Sequence, residues 1–157
     1  MDFQKDDILV QQMRDVFKFF NVISDEEVND FLKYCEKRQL SAGETLWQTG
    51  DEDNYAAFII SGRLGIKRKT EFEKRHVIVG IFETGSVVGE LCLLTNNIRS
   101  VTAEVLEPVD LLLLDSSEFE KMLASCPMLG LKLIKHIFAI TSRRLRSTTD
   151  RIVSSVF

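Results

Sequence analysis

The chain has 157 residues, of which 45% are hydrophobic, so it fits one domain with a single filled core. Its 20 Lys and Arg against 24 Asp and Glu leave a net charge of −4, which excludes broad, sequence-blind affinity for nucleic acid or an anionic membrane. Cys35, Cys92 and Cys126 are odd in number and far apart, without a CxxC spacing, so neither a disulfide framework nor a zinc site is supported.

The opening decapeptide MDFQKDDILV is acidic where a secretory signal would be basic and then apolar, and no run of about 18 apolar residues follows anywhere. A soluble, cytoplasmic protein with no membrane contact is expected. Residues 8–37 carry apolar side chains at helical spacing (Ile8, Met13, Val16, Phe17, Phe20, then Val28, Phe31, Leu32, Cys35), broken at 21–23. Ser24 with Glu27 forms a capping box that opens a second helix. Two helices are therefore placed in residues 1–40.

From 41 to 115 the texture changes to short β-rich runs, roughly 45–48, 57–60, 63–67, 76–82, 101–106 and 109–114, punctuated by Gly43, Gly50, Gly62 and Gly85. Strands at this spacing predict an all-β sandwich or barrel. Residues 116–157 return to helix. Ser117 and Glu120 read as a capping box for a short helix to about Leu123, and Pro127 suits the first turn of a long one that nothing interrupts after Gly130. In it, Ile134, Phe138, Thr141, Leu145, Thr148, Ile152 and Ser155 alternate in steps of four and three, the spacing of a two-helix seam, so a homodimer through this helix is expected. Its Lys132, Lys135, Arg143, Arg144, Arg146 and Arg151 against the single acid Asp150 read as a solvated helix face.

No catalytic pattern emerges. His76 and His136 have no sequence neighbours that make a metal pair or a nucleophile–base set, and HExxH, GxSxG and GxxxxGK[ST] are absent. The clusters at Asp25–Glu27 and Asp51–Asp53 are explained by capping and solvation. An enzyme is not expected, and neither is a metal or cofactor.

One stretch resists explanation by packing. After GSVVGEL, residues 85–91, comes the short apolar turn LCLL, then a polar loop and Arg99-Ser100 before the next strand. A glycine lets backbone approach a ligand, a one-turn helix offers unpaired N–H groups, and an arginine nine residues after the glutamate closes back, which together suit an anion.

GELCLLTNNIRSVTA, residues 89–103, resembles the phosphate-binding cassette of the cyclic-nucleotide-binding domains found in catabolite-activator (Crp/Fnr) type regulators, kinase regulatory subunits and nucleotide-gated channels. AGETLWQTGDEDNYAAFIISGRLGI, residues 42–66, is similar to that family's opening strands, Glu83-Thr84-Gly85 to its turn before the cassette, and the closing helix matches too. The resemblance implies a mainly β domain with flanking helices: a double-stranded β-helix, or jelly-roll barrel, with two N-terminal helices and a long C-terminal dimerisation helix. It implies that Arg99 forks onto a cyclic phosphate, that Glu90 accepts from the ribose 2′-hydroxyl, and that Ser100 with the amides of Leu91 and Cys92 adds phosphate donors, Gly89 being part of the same ligand site. Val79, Val87 and Val101 would wall the sugar and base. Thr148 and Thr149 would stand where bacterial activators carry a Thr-Ser pair that reaches the adenine across the dimer; the second is a departure.

The function so implied is that of a sensor domain of a Crp/Fnr-type transcriptional regulator. It would bind cyclic AMP, with cyclic GMP the alternative ligand, and relay its state through the closing helix. Such regulators continue into a helix-turn-helix that this chain does not contain, so DNA is expected as a partner only through a separate domain. The rival reading is a stand-alone or structural interaction domain with a non-nucleotide ligand or none.

Overall fold

Two long antiparallel strands organise the molecule. The computed structural model describes residues 3–72 and 74–156, with elements in the order α1 (Phe3–Val16), a 3-10 turn (Lys18–Asn21), α2 (Asp25–Lys33), β1 (Cys35–Leu40), β2 (Thr45–Trp47), β3 (Tyr55–Lys69), β4 (His76–Glu83), β5 (Val87–Val88), α3 (Glu90–Thr95), β6 (Thr102–Asp115), α4 (Ser116–Ser125) and α5 (Pro127–Val156). β3 and β6 pair along most of their length, from Tyr55↔Asp115 to Lys67↔Thr102.

Each of these strands replaces two of the expected runs. The segments 57–60 and 63–67 are one strand, and so are 101–106 and 109–114, because the glycine read as a turn is a bulge. Gly62 has φ +91°, and a Cβ there would lie 2.0 Å from the Pro108 carbonyl oxygen. The β3–β6 register shifts on both sides of this point, so Pro108, which has no N–H, sits where the ladder is already interrupted.

The expected barrel is an open six-stranded sheet of order β1-β6-β3-β4, with β2 on β6 and β5 on β3. β1 pairs with residues 109–114 of β6, whereas β4 pairs with residues 63–69 of β3, at the opposite end of the ribbon. The two outer strands therefore do not meet, and the sheet stays open. The jelly-roll architecture itself stands as expected.

Both faces of the β3–β6 ribbon are buried, which explains why AAFII and LLLL lack alternation. Ala56, Phe58, Ile60, Leu112 and Leu114 face the helices, where Met13, Phe17, Phe19, Phe20, Phe31, Phe119, Leu133 and Ile137 complete one core. Ala57, Ile59, Leu111 and Leu113 face the jelly-roll interior with Leu46, Trp47, Tyr55, Leu64, Val88, Ala103 and Val105. The helix-side core is aromatic, with Phe58 edge-on to Phe17 at 5.7 Å and to Phe31 at 5.3 Å.

The Ser24 capping box forms: its hydroxyl accepts from Glu27 N–H at 3.1 Å and the Glu27 carboxylate accepts from Ser24 N–H at 3.0 Å. The helix it opens is shorter than expected. Cys35–Lys37 belong to β1, paired with Leu112–Leu114, because tertiary pairing outweighs the local helical period. At the other end Asp115, not Ser117, caps α4, its Oδ1 accepting from Ser117 N–H at 2.8 Å.

α5 divides into two halves. Leu129, Leu133 and Ile137 are buried on the domain, whereas Phe138, Leu145 and Ile152 of the expected seam are largely exposed in the single chain. No helix among the described residues is long and apolar enough to cross a membrane.

Candidate ligand-binding site

The site lies at the open end of the jelly roll, where β5 hands over to α3. Gly85 turns the chain at φ +87°, donating to Ile59 O at 2.8 Å while Ser86 O accepts from Ile59 N–H at 2.9 Å. The two-residue β5 then pairs with Ala57 and Phe58. Successive residues of a strand point to opposite faces, so Val87 enters the helix-side core and Val88 the interior. Of the two, Val88 and not the expected Val87 lines the cavity.

Gly89 is the N-cap of α3 in a left-handed conformation, φ +74°. A Cβ at this position would fall 2.6 Å from Arg99 Nη1, 3.0 Å from Trp47 Cη2 and 3.0 Å from Tyr55 O, so only glycine lets the turn close over the arginine. α3 ends after six residues at Asn96, also left-handed. The loop returns through Arg99, whose N–H donates to Asp51 O at 2.9 Å and whose carbonyl accepts from Gly50 N–H at 2.8 Å. The GDEDN turn that the sequence offers as solvated polarity is thus an anchor for the cassette's return.

Arg99 is 2% exposed. Its Nη2 donates to Tyr55 O at 2.7 Å, and its Nε and Nη1 are buried with no hydrogen-bond partner. The guanidinium lies over Trp47, 3.8 Å from the ring centroid, and near Tyr55 at 4.6 Å. Burial pushes the Tyr55 phenol up, and the Arg99 charge beside it pulls the other way. Glu90, also buried, does not pair with Arg99. Its Oε1 accepts from Arg144 Nη1 of α5 at 2.7 Å, while Arg144 Nη2 donates to Val87 O at 2.5 Å and the guanidinium stands over Phe82 at 4.7 Å.

Gly89, Glu90, Leu91, Cys92, Arg99, Ser100 and Val101 share one cavity, as the sequence groups them, together with Trp47, Ile66, Phe82, Val88 and Arg144. Its volume of about 200 Å³ is below the roughly 300 Å³ at which small-molecule sites begin, and the Arg144–Glu90 bridge is part of its lining. Val79, Thr148 and Thr149 are not part of it. Val79 and Thr148 line an adjoining groove of about 640 Å³ between β4 and α5, beside Ile81, Arg143 and Arg151, which shares Phe82 and Arg144 with the cavity. The Thr148 and Thr149 hydroxyls donate within their own helix, to Arg144 O at 2.9 Å and Leu145 O at 3.0 Å. Val79 falls at the bulge where the β3–β4 register shifts, between Gly80 and Ile78, and its side chain is half exposed.

Sequence reasoning missed Trp47, Tyr55 and Arg144. Arg144 comes from 54 residues beyond Glu90, and nothing in its Arg-Arg-Leu-Arg setting distinguishes it from a solvated cation. Trp47 had a signal that went unused, as the only tryptophan of the chain in a strand that runs into the cassette's anchor turn.

A buried unpaired cation, a carboxylate and apolar walls around one small cavity define a binding module for a small anionic ligand. The chain belongs to the cyclic nucleotide-binding domain family, whose model matches residues 37–126. Among curated relatives, the cyclic AMP receptor protein of Thermus thermophilus is 26% identical over 127 residues, 81% of this chain and 56% of that protein. A protein of Rhodopseudomonas palustris named as a potassium channel is 25% identical over 126 residues, 80% of this chain and 30% of its own length. This chain therefore spans about a third to just over half of these relatives. Among solved structures, a cyclic nucleotide-binding domain from Methylobacillus flagellatus superposes with a TM-score of 0.83 at 20% identity, covering 93% of this chain and 85% of that one, a likeness of fold.

Proposed function

We propose that this chain is a cyclic-nucleotide sensor that binds cyclic AMP at the cassette and relays occupancy through α5. The observation that carries the reading is Arg99: a buried guanidinium with two nitrogens unpartnered, in the same cavity as a buried carboxylate. A ribose cyclic monophosphate brings one negative charge, a 2′-hydroxyl and a flat base. Arg99, with Ser100 and the first-turn amides of α3 at Leu91 and Cys92, would hold the phosphate. Glu90 would accept from the 2′-hydroxyl, and Val88, Val101 and Ile66 would wall the sugar. Cyclic GMP is the competing ligand.

Arg144 gives this reading its relay. A ligand whose ribose engages Glu90 competes with Arg144 for the same carboxylate, so occupancy and the seat of α5 on the cassette are linked, and the ligand shifts the population between two helix positions. Phe138, Leu145 and Ile152 lie exposed at seven-residue steps along α5, which favours a homodimer through this helix, with Thr148 and Thr149 contributing from the partner. DNA would be reached through a further domain.

Calorimetric titration with cyclic AMP, cyclic GMP and AMP tests the proposal. Cyclic AMP binding preferentially, with altered hydrogen-exchange protection over residues 131–153, is the expected result. Absence of binding by both cyclic nucleotides refutes the ligand, and binding without altered protection refutes the relay.

A further inference from the structure

Arg99 is stabilised in an unusual way for a buried cation. Among the described residues no carboxylate pairs with it, since Glu90 is taken by Arg144. What lies against its face is Trp47, 3% exposed, with Cζ 3.8 Å from the indole centroid. Tyr55 meets the indole edge-on at 5.7 Å and approaches the guanidinium itself at 4.6 Å, while its own hydroxyl is fixed on Leu46 O at 3.0 Å. Gly89 closes against both groups, with no room for a Cβ.

A carboxylate partner and an aromatic face do different things for an arginine. A carboxylate neutralises the charge, and an incoming anion must displace it. An aromatic face offsets part of the desolvation cost through the ring quadrupole, fixes the plane of the guanidinium, and leaves its in-plane N–H groups free.

We propose that Trp47 is a positioning residue that holds the Arg99 guanidinium flat and uncompensated, so that the site is poised for an anionic group before ligand arrives. The consequence for affinity rests on the cyclic-nucleotide reading above; the positioning itself does not. Leucine would fill much of the same apolar volume without a π face, and phenylalanine would keep the face.

The test uses the full chain with Trp47→Leu and Trp47→Phe, and with Trp47→Met should the leucine variant not fold. The Arg99 Nε–Hε resonance of the ligand-free protein, identified by its loss in Arg99→Leu, reads positioning directly because Nε is buried without a partner. A ring-shifted, slowly exchanging signal is expected in the wild type and Trp47→Phe, moving towards the free-arginine position in Trp47→Leu. Calorimetry with cyclic AMP should then give an affinity about tenfold weaker for Trp47→Leu and restored to within about threefold by phenylalanine. An unshifted wild-type resonance, or a leucine variant that binds as tightly as the wild type, overturns the inference. A shifted resonance in a wild-type chain that binds no cyclic nucleotide supports the positioning and refutes only the ligand.

Discussion

The two sides of the β3–β6 ribbon are equally buried and treat polarity in opposite ways. On the helix side, Phe17, Phe20, Phe31 and Phe58 interlock with aliphatic neighbours, and among the described residues no charged side chain is buried there. On the interior side the apolar lining ends at a cavity that holds Arg99, half satisfied, and Glu90, satisfied only by reaching across to α5. The same two strands supply both, with Phe58 and Ala57 one residue apart. One face is optimised for folding and the other carries a local cost that a ligand can relieve.

The difference can be broken by substitutions of opposite character. Phe58→Ala removes a ring at the centre of the aromatic cluster and should cost about 3–5 kcal/mol of stability in urea unfolding. It should leave the affinity of the folded fraction for ligand unchanged, and a lost affinity would mean that the two faces are not separable. Arg99→Leu should do the reverse. Binding weakens by about 2–5 kcal/mol in calorimetry, while the ligand-free chain is as stable as the wild type or more so, because a buried cation without a counter-charge has been removed. A large loss of stability in that variant would show that Arg99 is structural.

The smallest expected effect lies at the helix-side rim. The Lys132 ammonium, hydrogen-bonded to Glu27, holds that carboxyl below its ordinary value, and the amide of Ser24 acts in the same direction. A lowered carboxyl stabilises the fold above the unfolded pKa of 4.5 and loses that contribution as pH falls through the folded value. Since both groups are partly exposed, Lys132→Met should cost under about 1 kcal/mol near neutrality, and the gap to the wild type should narrow in acid. His136, lowered by burial and by the nearby Arg143 while stacked on Phe19 at 5.0 Å, adds a loss with the same sign as pH falls below 6.5. Unfolding by urea across pH 3–8 measures both, and a wild type that gains stability on acidification would contradict them.

Much of this was legible in the sequence because it is written in local chemistry. The Ser24–Glu27 box, Pro127 at the head of α5, and the glycine–glutamate–arginine cassette are short-range patterns whose residue types have few other uses. From them follow the helical flanks and the grouping of Gly89, Glu90, Arg99 and Ser100 in one cavity, while the jelly roll is what the cassette's resemblance to its family implies. What the sequence left undecided was always a matter of which distant segment comes to lie alongside. Cys35–Lys37 became a strand because β6 was there to pair with it. Gly62 became a bulge rather than a turn because Pro108 faces it. Val88 replaced Val87 in the cavity because a single-residue choice of face depends on the sheet. The partners of the two charged anchors were decided in the same way: Glu90 and Arg99 are nine residues apart and invite pairing with each other. Only the folded chain brings Arg144 to the first and the indole of Trp47 to the second, because contacts across 54 and 52 residues leave no trace in spacing.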